Sequence, residues 1–293
     1  MPMDTVTDPF EEHRSLLTGV AYRMLGSVAD AEDVVQEAWL RWTGADRAEV
    51  REPRAYLVRI TTRLAVDRLR QLQARREAYV GPWLPEPLAT DFAETVPDGA
   101  ERAVMTESVS LALLVTLESL SALERAVFVL REAFGFSYAE IATSLGRAEP
   151  AVRQLGARAR RHVEDRKPRF DVDPVQQQAL TEGFLAAAGG GDLDGLMSLL
   201  APDARLVGDS GGKSRAPLRI IESADKVGRF LLGAAAKPVP DMSFRIMELN
   251  GAPAAVVFSG DKPDSVFQLD VHDGRIQCVY ILRNPDKLAL IAA

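Results

Sequence analysis

With 293 residues, the chain exceeds a usual domain of roughly 100 to 200 residues, so two or three domains are expected. Hydrophobic residues make up 47% and charged residues 26% of the sequence, which excludes a largely disordered, collagen-like or coiled-coil protein. The formal net charge of −7 argues against a protein that coats nucleic acid with its whole surface.

Cysteine and histidine are scarce, since the chain has one cysteine, Cys278, and three histidines. One cysteine cannot form a disulfide within the chain, and the histidines do not join it in a cluster with metal-ligand spacing. The N-terminal stretch is acidic where a secretory signal is basic, and no stretch approaches the roughly 20 apolar residues that span a bilayer. We therefore expect no metal, no cofactor and a cytoplasmic location.

Positive charge is concentrated in two segments. Eight arginines and two acidic residues lie between 51 and 76, and seven basic and three acidic residues lie between 147 and 167. Each segment is locally basic within an acidic chain, and from charge alone such a segment is either a solvated outer face or a surface for nucleic acid.

Residues 8–78 have the apolar periodicity of helices throughout. The first helix ends at Gly26, and the second opens at Asp30 with the sequence DAEDVVQEAWLRW. The side chains of the second helix that we expect to face a core are Val34, Ala38, Leu40 and Trp42. The opposite side is strongly acidic and consists of Asp30, Glu32, Asp33, Gln36 and Glu37. From charge alone, such a side is a solvated surface.

A third helix is predicted from Pro53, which suits a first helical turn, to about Arg76. Leucines and isoleucines at helical spacing give it a wide apolar face. Its other side carries the arginines of the first basic segment.

Residues 79–100 contain four prolines, which block helix formation and favour an extended interdomain linker. The sequence WLPEP at 83–87 is unusual there, because an exposed tryptophan and leucine between prolines would lower solubility. We therefore expect this segment to dock on another part of the protein rather than act as a plain spacer.

Helical periodicity resumes from about 101 to 133. Ser137 and Glu140 then form a capping box that opens a short helix, which Gly146 closes. A second helix follows from Glu149, with apolar residues on one side and arginines on the other. Two short helices joined by a glycine-bearing turn predict a helix-turn-helix.

After residue 167 the elements become shorter. Helices are predicted at 173–200, interrupted by three glycines, and at 223–236. Strands are predicted at 204–208, 243–249, 254–259, 265–271 and 275–282. The last two strands flank Asp273 and Gly274, which is a strong hairpin signal. This order predicts an α+β domain with a curved antiparallel sheet.

Taken in order along the chain, these segments resemble the extracytoplasmic-function sigma factors. DAEDVVQEAW with PRAYLVRITTRLAVDRLR is similar to their region two, and SYAEIATSLG with AVRQLGARAR to their region four. Four further signatures resemble the sigma-J-like subgroup, which carries a C-terminal SnoaL-like domain: WLPEP (83–87), DSGGK (209–213), NGAPA (250–254) and NPDKL (284–288). The resemblance covers nearly the whole chain.

This resemblance implies two all-α sigma domains followed by an α+β SnoaL-like cone. The implied divisions are region two at 1–78, a linker at 79–105, a region four helix-turn-helix at 106–167 and a regulatory domain at 168–293. Two positions depart from the family pattern. Ser210 replaces a glycine of the usual DGGGK, and Arg63 replaces a frequent asparagine.

The resemblance also implies roles for individual residues. Those expected to contact polymerase are Asp33, Gln36 and Glu37. Those expected to contact the minus-ten region of promoter DNA are Arg54, Tyr56, Arg59, Arg63 and Arg70, although Tyr56 could equally belong to the core. Those expected in the minus-thirty-five major groove are Arg153, Gln154 and Arg158. Those expected in an interdomain regulatory contact are Trp83, Leu84, Pro85, Asp209, Gly211, Gly212, Lys213, Asn284, Pro285 and Asp286.

The expected function is therefore transcription initiation by a non-enzymatic factor with core RNA polymerase and promoter DNA as partners, no membrane contact and no separate anti-sigma factor. An alternative is a C-terminal domain that binds or transforms a small ligand. Asp270 and His272 share one strand face, as an acid–base pair would, but they lie beside a hairpin turn where solvent exposure is expected. Cys278 is expected to be a packed thiol. A helix-turn-helix repressor is a second alternative, which explains neither the acidic helix nor the second basic module.

Overall fold

The structure of the protein is a computed structural model, and it describes residues 8–47, 50–76, 78–89, 110–164, 173–237 and 239–291. These residues form two compact units. The first contains 8–76 and 113–164, and the second contains 78–89, 110–112 and 173–291. The described part of the linker therefore belongs to the same unit as the C-terminal domain.

Three helices open the first unit: α1 (Pro9–Leu25), α2 (Val28–Thr43) and α3 (Pro53–Arg76). Asp8 caps α1 by accepting a 2.9 Å hydrogen bond from the backbone N–H of Phe10. Gly26 ends α1 in the left-handed conformation, and Ser27 then caps α2. The predicted boundary at these two residues is confirmed, and Leu17, Trp42 and Leu57 are fully buried between the helices.

The second half of this unit contains α4 (Leu111–Leu117), α5 (Ala122–Phe128) with a π-helical continuation (Val129–Ala133), α6 (Tyr138–Leu145) and α7 (Glu149–Glu164). Helical structure is predicted from about 101 to 133, and over the described residues it is divided into two helices. Ser121 caps α5 in a capping box with Glu124, which starts a new helix there. The predicted capping box of Ser137 and Glu140 is confirmed.

The second unit carries four helices and one mixed sheet. The helices are α8 (Pro174–Gly190), α9 (Leu193–Leu199), α10 (Ala224–Ala235) and α11 (Pro285–Leu288). The strands are β1 (Leu200–Asp209), β2 (Ile221–Glu222), β3 (Met242–Leu249), β4 (Ala252–Ser259), β5 (Lys262–His272) and β6 (Arg275–Leu282). Their order in the sheet is β2-β1-β6-β5-β4-β3.

The expectation of an antiparallel sheet is correct for the β3–β6 meander and wrong for β1, which pairs with β6 in parallel. Parallel neighbours are joined by long crossovers, and the alternation of apolar residues within a strand does not say which neighbour it pairs with. Two-residue turns close the hairpins at Asn250-Gly251 and Asp273-Gly274, and all four residues have positive φ.

The two faces of this sheet are chemically different. Helices α8–α10 cover one face with an apolar cluster that includes Phe184, Leu206, Val227 and Val279. Asp270 alternates with two core residues of β5 and so lies on the opposite face, in register with Cys278. Burial raises the pKa of the Asp270 carboxyl to about 6, although Arg205 and His272 act in the opposite direction.

We predict that Asp270→Asn stabilises the protein and that the gain depends on pH. The folded state holds a proton on Asp270 up to about pH 6, whereas an unfolded aspartate ionises near pH 3.9. Unfolding of the natural protein therefore releases this proton between these pH values, and its stability falls as the pH rises through them. The expected gain of the variant is about 2–3 kcal/mol at pH 7.5 and approaches zero near pH 4.

Urea unfolding followed by circular dichroism at several pH values measures this gain. The control is Asp273→Asn on the same hairpin, where the carboxylate is 86% exposed and asparagine accepts the positive φ. A gain for Asp270→Asn that does not change with pH contradicts the assigned cause.

Candidate functional site

The acidic side of α2 is open to solvent, and Asp33, Gln36 and Glu37 are all exposed. Glu37 forms a 2.6 Å ion pair with Arg41, and an Asp33 oxygen lies 3.6 Å from a guanidinium nitrogen of Arg68. Exposed pairs of this kind contribute at most about 1 kcal/mol. Both carboxylates therefore remain able to meet a cationic partner.

Two large apolar side chains share this surface, since Trp39 is 41% and Leu40 57% exposed. The expectation that Leu40 faces the core is wrong. Leu40 lies one helical turn after Gln36 and so on the water-facing side, whereas the buried positions include Val34 and Ala38. The four-residue spacing between Gln36 and Leu40 already indicated that Leu40 is exposed. The exposed pair makes the surface amphipathic, as protein interfaces commonly are.

Arg59 and Arg70 lie on the water-facing side of α3. Arg70 pairs with Asp67 at 3.1 Å. The Arg59 guanidinium lies over the Tyr56 ring at 5.2 Å, and that ring is half-buried against Trp42 with 6.0 Å between ring centroids. Tyr56 is therefore partly a core residue, with one side left at the surface.

Arg54 and Arg63 of the same helix contact the helix-turn-helix segment instead, Arg54 just before α6 and Arg63 within it. The Arg54 guanidinium stacks at 4.8 Å from the centre of the Phe136 ring. Arg63 Nε donates a 2.9 Å hydrogen bond to the backbone oxygen of Ser144. A cleft of about 800 Å³ lies between the start of α3 and the segment from Phe136 to Ser144. Arg54, Tyr56 and Arg59 are among its lining residues.

The second helix of the helix-turn-helix, α7, presents Arg153, Gln154 and Arg158 to solvent. Its buried side consists of Val152, Gly156, Ala159 and Val163. Arg153 pairs with Glu149 at 2.5 Å, and Arg158 with Glu124 at 3.1 Å. A polyanion with several phosphates competes readily with such exposed single pairs.

In the second unit, the linker segment 78–89 lies in a closely fitted site. Leu84 is fully buried, and Pro85, Pro87 and Ala89 are also buried. The Leu84 backbone N–H donates to Asp209 Oδ2 at 2.8 Å, and its carbonyl accepts from Lys287 Nζ. Side chains of the C-terminal domain thus satisfy both backbone groups of Leu84, which a buried extended segment requires.

Asp209 and Lys287 form a buried ion pair beneath this segment. Lys287 Nζ lies 2.6 Å from Asp209 Oδ2 and 3.9 Å from the centre of the Trp83 ring. The lysine side chain is 6% exposed and the aspartate 0%. Each charge is therefore compensated within the site, and the tryptophan adds a cation–π contact.

Tyr79 extends this network. Its hydroxyl donates a 2.6 Å hydrogen bond to Asp209 Oδ1 and accepts one of 2.9 Å from Asn284 Nδ2. Burial and the neighbouring Asp209 carboxylate raise the pKa of Tyr79 well above its ordinary value, so the phenol remains a donor at any physiological pH. Lys213 also pairs with Asp286 at the rim, and both side chains are largely exposed.

Glycine is required where DSGGK meets the linker. A Cβ on Gly211 would lie 2.6 Å from Asn284 Nδ2, and one on Gly212 would lie 3.3 Å from Val80. Both glycines have positive φ, whereas Ser210 does not. The departure at Ser210 therefore falls where a side chain fits, and its hydroxyl accepts a hydrogen bond from the Gly212 N–H.

The NGAPA segment joins the same site. Asn250 donates its backbone N–H to the Leu88 carbonyl at 2.8 Å, and its Oδ1 accepts from the Leu88 N–H at 3.0 Å. Ala89 then forms an isolated antiparallel bridge with Leu249. Tyr79, Lys287 and Asn250 were absent from the predicted regulatory residues, although two of them lie in quoted signatures.

Asp270 and His272, the pair considered for catalysis, lie on the sheet face opposite the helix-covered cluster. The expectation that both are exposed beside the hairpin turn is wrong, since both are half-buried and His272 pairs with Asp273. Cys278 is buried, which raises the pKa of its thiol to about 12 and keeps it from acting as a nucleophile.

Within the described ranges, no group of three or more histidine, cysteine, aspartate or glutamate side chains is arranged to hold a metal ion. None of the helices in these ranges combines the length and apolar character that a bilayer crossing needs.

Comparison with known proteins agrees with this division of the chain. Two family models match: Sigma-70 region 2 over residues 9–76, and Sigma-70, region 4 over residues 110–163. The ECF RNA polymerase sigma factor SigJ of Mycobacterium tuberculosis is 39% identical, over 95% of this chain and 91% of its own length. The probable ECF RNA polymerase sigma factor SigI of the same organism is 32% identical, over 97% of this chain and 95% of its own.

The crystal structure of M. tuberculosis SigJ has the same fold, with a TM-score of 0.78 at 35% identity over 96% of this chain and 97% of that one. The α1–α3 bundle is therefore region two, the α4–α7 segment is region four, and the second unit holds the SnoaL-like domain. The chain belongs to the ECF RNA polymerase sigma factors.

Proposed function

We propose that the SnoaL-like domain regulates this sigma factor by holding the linker that joins regions two and four. The observation that carries the proposal is the complete burial of Leu84, with both of its backbone groups bonded to the Asp209–Lys287 pair. A sigma factor uses regions two and four together on one promoter. A domain that binds the chain between them can therefore change the distance between the two regions.

The docking contacts are strong enough to matter. Burial of a leucine side chain stabilises by about 1.5–3 kcal/mol, and each hydrogen bond to a charged group contributes about 1.5–3 kcal/mol. The prolines of WLPEP are already restricted in φ, so ordering this segment costs less entropy than ordering a flexible one. If polymerase binding requires the linker to leave this site, linker docking opposes polymerase binding. The coupling free energy between the two would be about 1–3 kcal/mol, as in typical allosteric systems.

A regulatory role fits this domain better than a catalytic one. The cluster between the sheet and α8–α10 is formed by apolar side chains, and Asp270 and His272 lie on the other face. Because the domain is part of the same chain, we also propose that it takes the place of a separate anti-sigma factor, and that the protein acts in the cytoplasm.

Core RNA polymerase is the proposed partner of the exposed α2 surface formed by Asp33, Gln36, Glu37, Trp39 and Leu40. Promoter DNA is the proposed partner of the arginine-bearing sides of α3 and α7. The carboxylates would guide encounter with a basic surface, and the exposed tryptophan and leucine would supply the buried contact.

Charge reversal on α2 tests the polymerase surface. The double variant Asp33→Lys, Glu37→Lys should lose co-purification with core polymerase, because both side chains face solvent and would repel a basic partner. Asp203→Lys with Asp225→Lys makes the same change in net charge on exposed positions of the other unit and should bind normally. If a folded double variant still binds core polymerase, the assignment of this α2 surface to polymerase is wrong.

Promoter binding by the holoenzyme tests the DNA surfaces. Arg59→Ala or Arg70→Ala should weaken binding to all promoter variants, since a phosphate contact carries no sequence information. Alanine at a base-contacting residue among Arg153, Gln154 and Arg158 should relax one minus-thirty-five position by about 1–3 kcal/mol. The surface assignment is wrong if all five substitutions leave competition binding unchanged.

Trp83→Ala tests linker docking, because it removes the cation–π contact with Lys287 and leaves the rest of the domain intact. Amide hydrogen exchange in 79–89 and 205–215 should become faster, and run-off transcription with core polymerase should rise. Val175→Ala removes a side chain that is 74% exposed and should change neither. Unchanged exchange together with unchanged transcription would mean that WLPEP is only a spacer.

A further inference from the structure

The loop between β1 and β2 borders the docked linker and carries a surface that is both basic and apolar. We propose that this loop surface, formed by Val80, Arg215, Leu218, Arg219 and Ile220, binds the acidic α2 surface of a second copy of the chain. The proposal goes beyond linker docking, since it assigns a further surface and a further partner. Its consequence for transcription rests on the polymerase role proposed for α2, whereas the contact itself does not.

Positive charge in this loop is not balanced by its neighbours in sequence. Residues 210–221 contain Lys213, Arg215 and Arg219 and no acidic residue. Lys213 pairs with Asp286. Arg215 and Arg219 are exposed, and neither guanidinium forms a hydrogen bond or an ion pair with a residue that the structure describes. Both arginines are therefore available to a partner's carboxylates, which a guanidinium binds with two parallel hydrogen bonds.

Three large apolar side chains accompany these arginines. Leu218 is 60%, Ile220 47% and Val80 48% exposed. Val80 belongs to the linker, which runs directly beside the loop. A Cβ on Gly81 would lie 3.5 Å from Leu218 Cδ2, and a Cβ on Gly212 would lie 3.3 Å from the Val80 side chain. Single exposed apolar residues are common, but a group of them beside exposed arginines is typical of an interaction surface.

The composition of the loop surface favours a protein as its partner. Phosphate contacts need no apolar neighbours, and protein–DNA interfaces are more polar and more positively charged than this surface. Arginine together with large apolar side chains is enriched at protein interfaces. Because the charges of the loop are positive, its partner is expected to combine carboxylates with exposed apolar side chains.

The exposed α2 surface has this chemistry. Glu32, Asp33 and Glu37 present three carboxylates to solvent, and Trp39 and Leu40 are exposed beside them. The carboxylates can face the arginines of the loop, while the tryptophan and leucine supply the apolar contact. The two surfaces thus match in both charge and polarity.

Each chain carries both surfaces, so a second copy always offers the matching partner. Two copies related by a twofold axis make the contact twice, once through each α2, which closes the assembly as a dimer. Two weak contacts that form together bind more tightly than either one alone. Core polymerase would compete for the same α2 residues. The dimer therefore withholds region two from polymerase, and dilution or excess polymerase releases it.

Sedimentation equilibrium of the full chain tests the contact with two charge-reversal variants. The α2 variant is Asp33→Lys, Glu37→Lys, and the loop variant is Arg215→Glu, Arg219→Glu. Natural protein should form a dimer that weakens as NaCl rises from about 0.1 to 1 M, because salt shortens the Debye length. Each variant alone should dimerise about tenfold or more weakly, since like charges then face each other.

An equimolar mixture of the two variants should recover dimers. In a mixed dimer, the basic α2 of one chain faces the acidic loop of the other, and the remaining natural α2 faces the remaining natural loop. Recovery also shows that both variants are folded, because an unfolded chain supplies neither surface. The control Lys237→Glu, Lys262→Glu makes the same change in net charge at exposed positions elsewhere in the second unit and should dimerise like natural protein.

Three results overturn the proposal: natural protein that stays monomeric at its highest soluble concentration, an α2 variant that dimerises normally, or two folded variants that do not associate when mixed. A loop variant that dimerises normally but binds duplex DNA more weakly identifies the loop as a DNA contact, which also overturns it. The loop variant keeps α2 intact and should co-purify with core polymerase. Sedimentation thus tests self-association separately from the polymerase role of α2.

Discussion

The buried pair of Asp209 and Lys287 is the interaction on which the second unit depends for its contact with the linker. Neither group would be tolerated alone at this depth, since an unpaired buried charge is strongly destabilising. Together they present one acceptor and one donor to the backbone of Leu84. The site thus recognises an extended main chain first, and Trp83 and the prolines then restrict which sequence fits. Gly211 and Asn284 complete it, because a larger residue at 211 would occupy the space of the amide.

Two contacts in this protein use the same physical device. In each, a charged side chain satisfies a main-chain group that has no partner in its own secondary structure: Lys287 with the Leu84 carbonyl, and Arg63 with the Ser144 carbonyl. Such contacts are directional. They are also exchangeable, since another donor can replace them at modest cost. The proposed regulation by the SnoaL-like domain needs this property, because the linker would have to be both held and released.

Much of the fold could be predicted from local sequence signals. The boundaries at Gly26 and Gly146 follow from capping residues, and the β5–β6 hairpin follows from Asp273-Gly274. The parallel pairing of β1 with β6 could not be predicted, because the alternation of apolar residues within a strand does not identify the neighbouring strand. The break before Ser121 was visible as a capping box with Glu124 but was outweighed by the continuous apolar periodicity around it.

The candidate sites were predicted unevenly for a similar reason. Exposure of Asp33 and Arg153 follows from helical position. The contacts of the linker site join distant segments instead: Lys287 bonds the Leu84 carbonyl 203 residues away, and Tyr79 bonds Asp209 and Asn284, which lie 130 and 205 residues away. The position of Leu40 shows the limit of reasoning from residue type, since this leucine is exposed. The contact of Arg63 with the Ser144 carbonyl, 81 residues away in sequence, could not be predicted from the basic segment.

Docking of the linker also places a fixed point on the chain between regions two and four. Both backbone groups of Leu84 are bonded to the C-terminal domain, and so is the backbone N–H of Leu88. Under the proposed regulation, the docked segment would act as a mechanical clamp. Tension along the chain would load these directional bonds, and the linker would be released only when they break together.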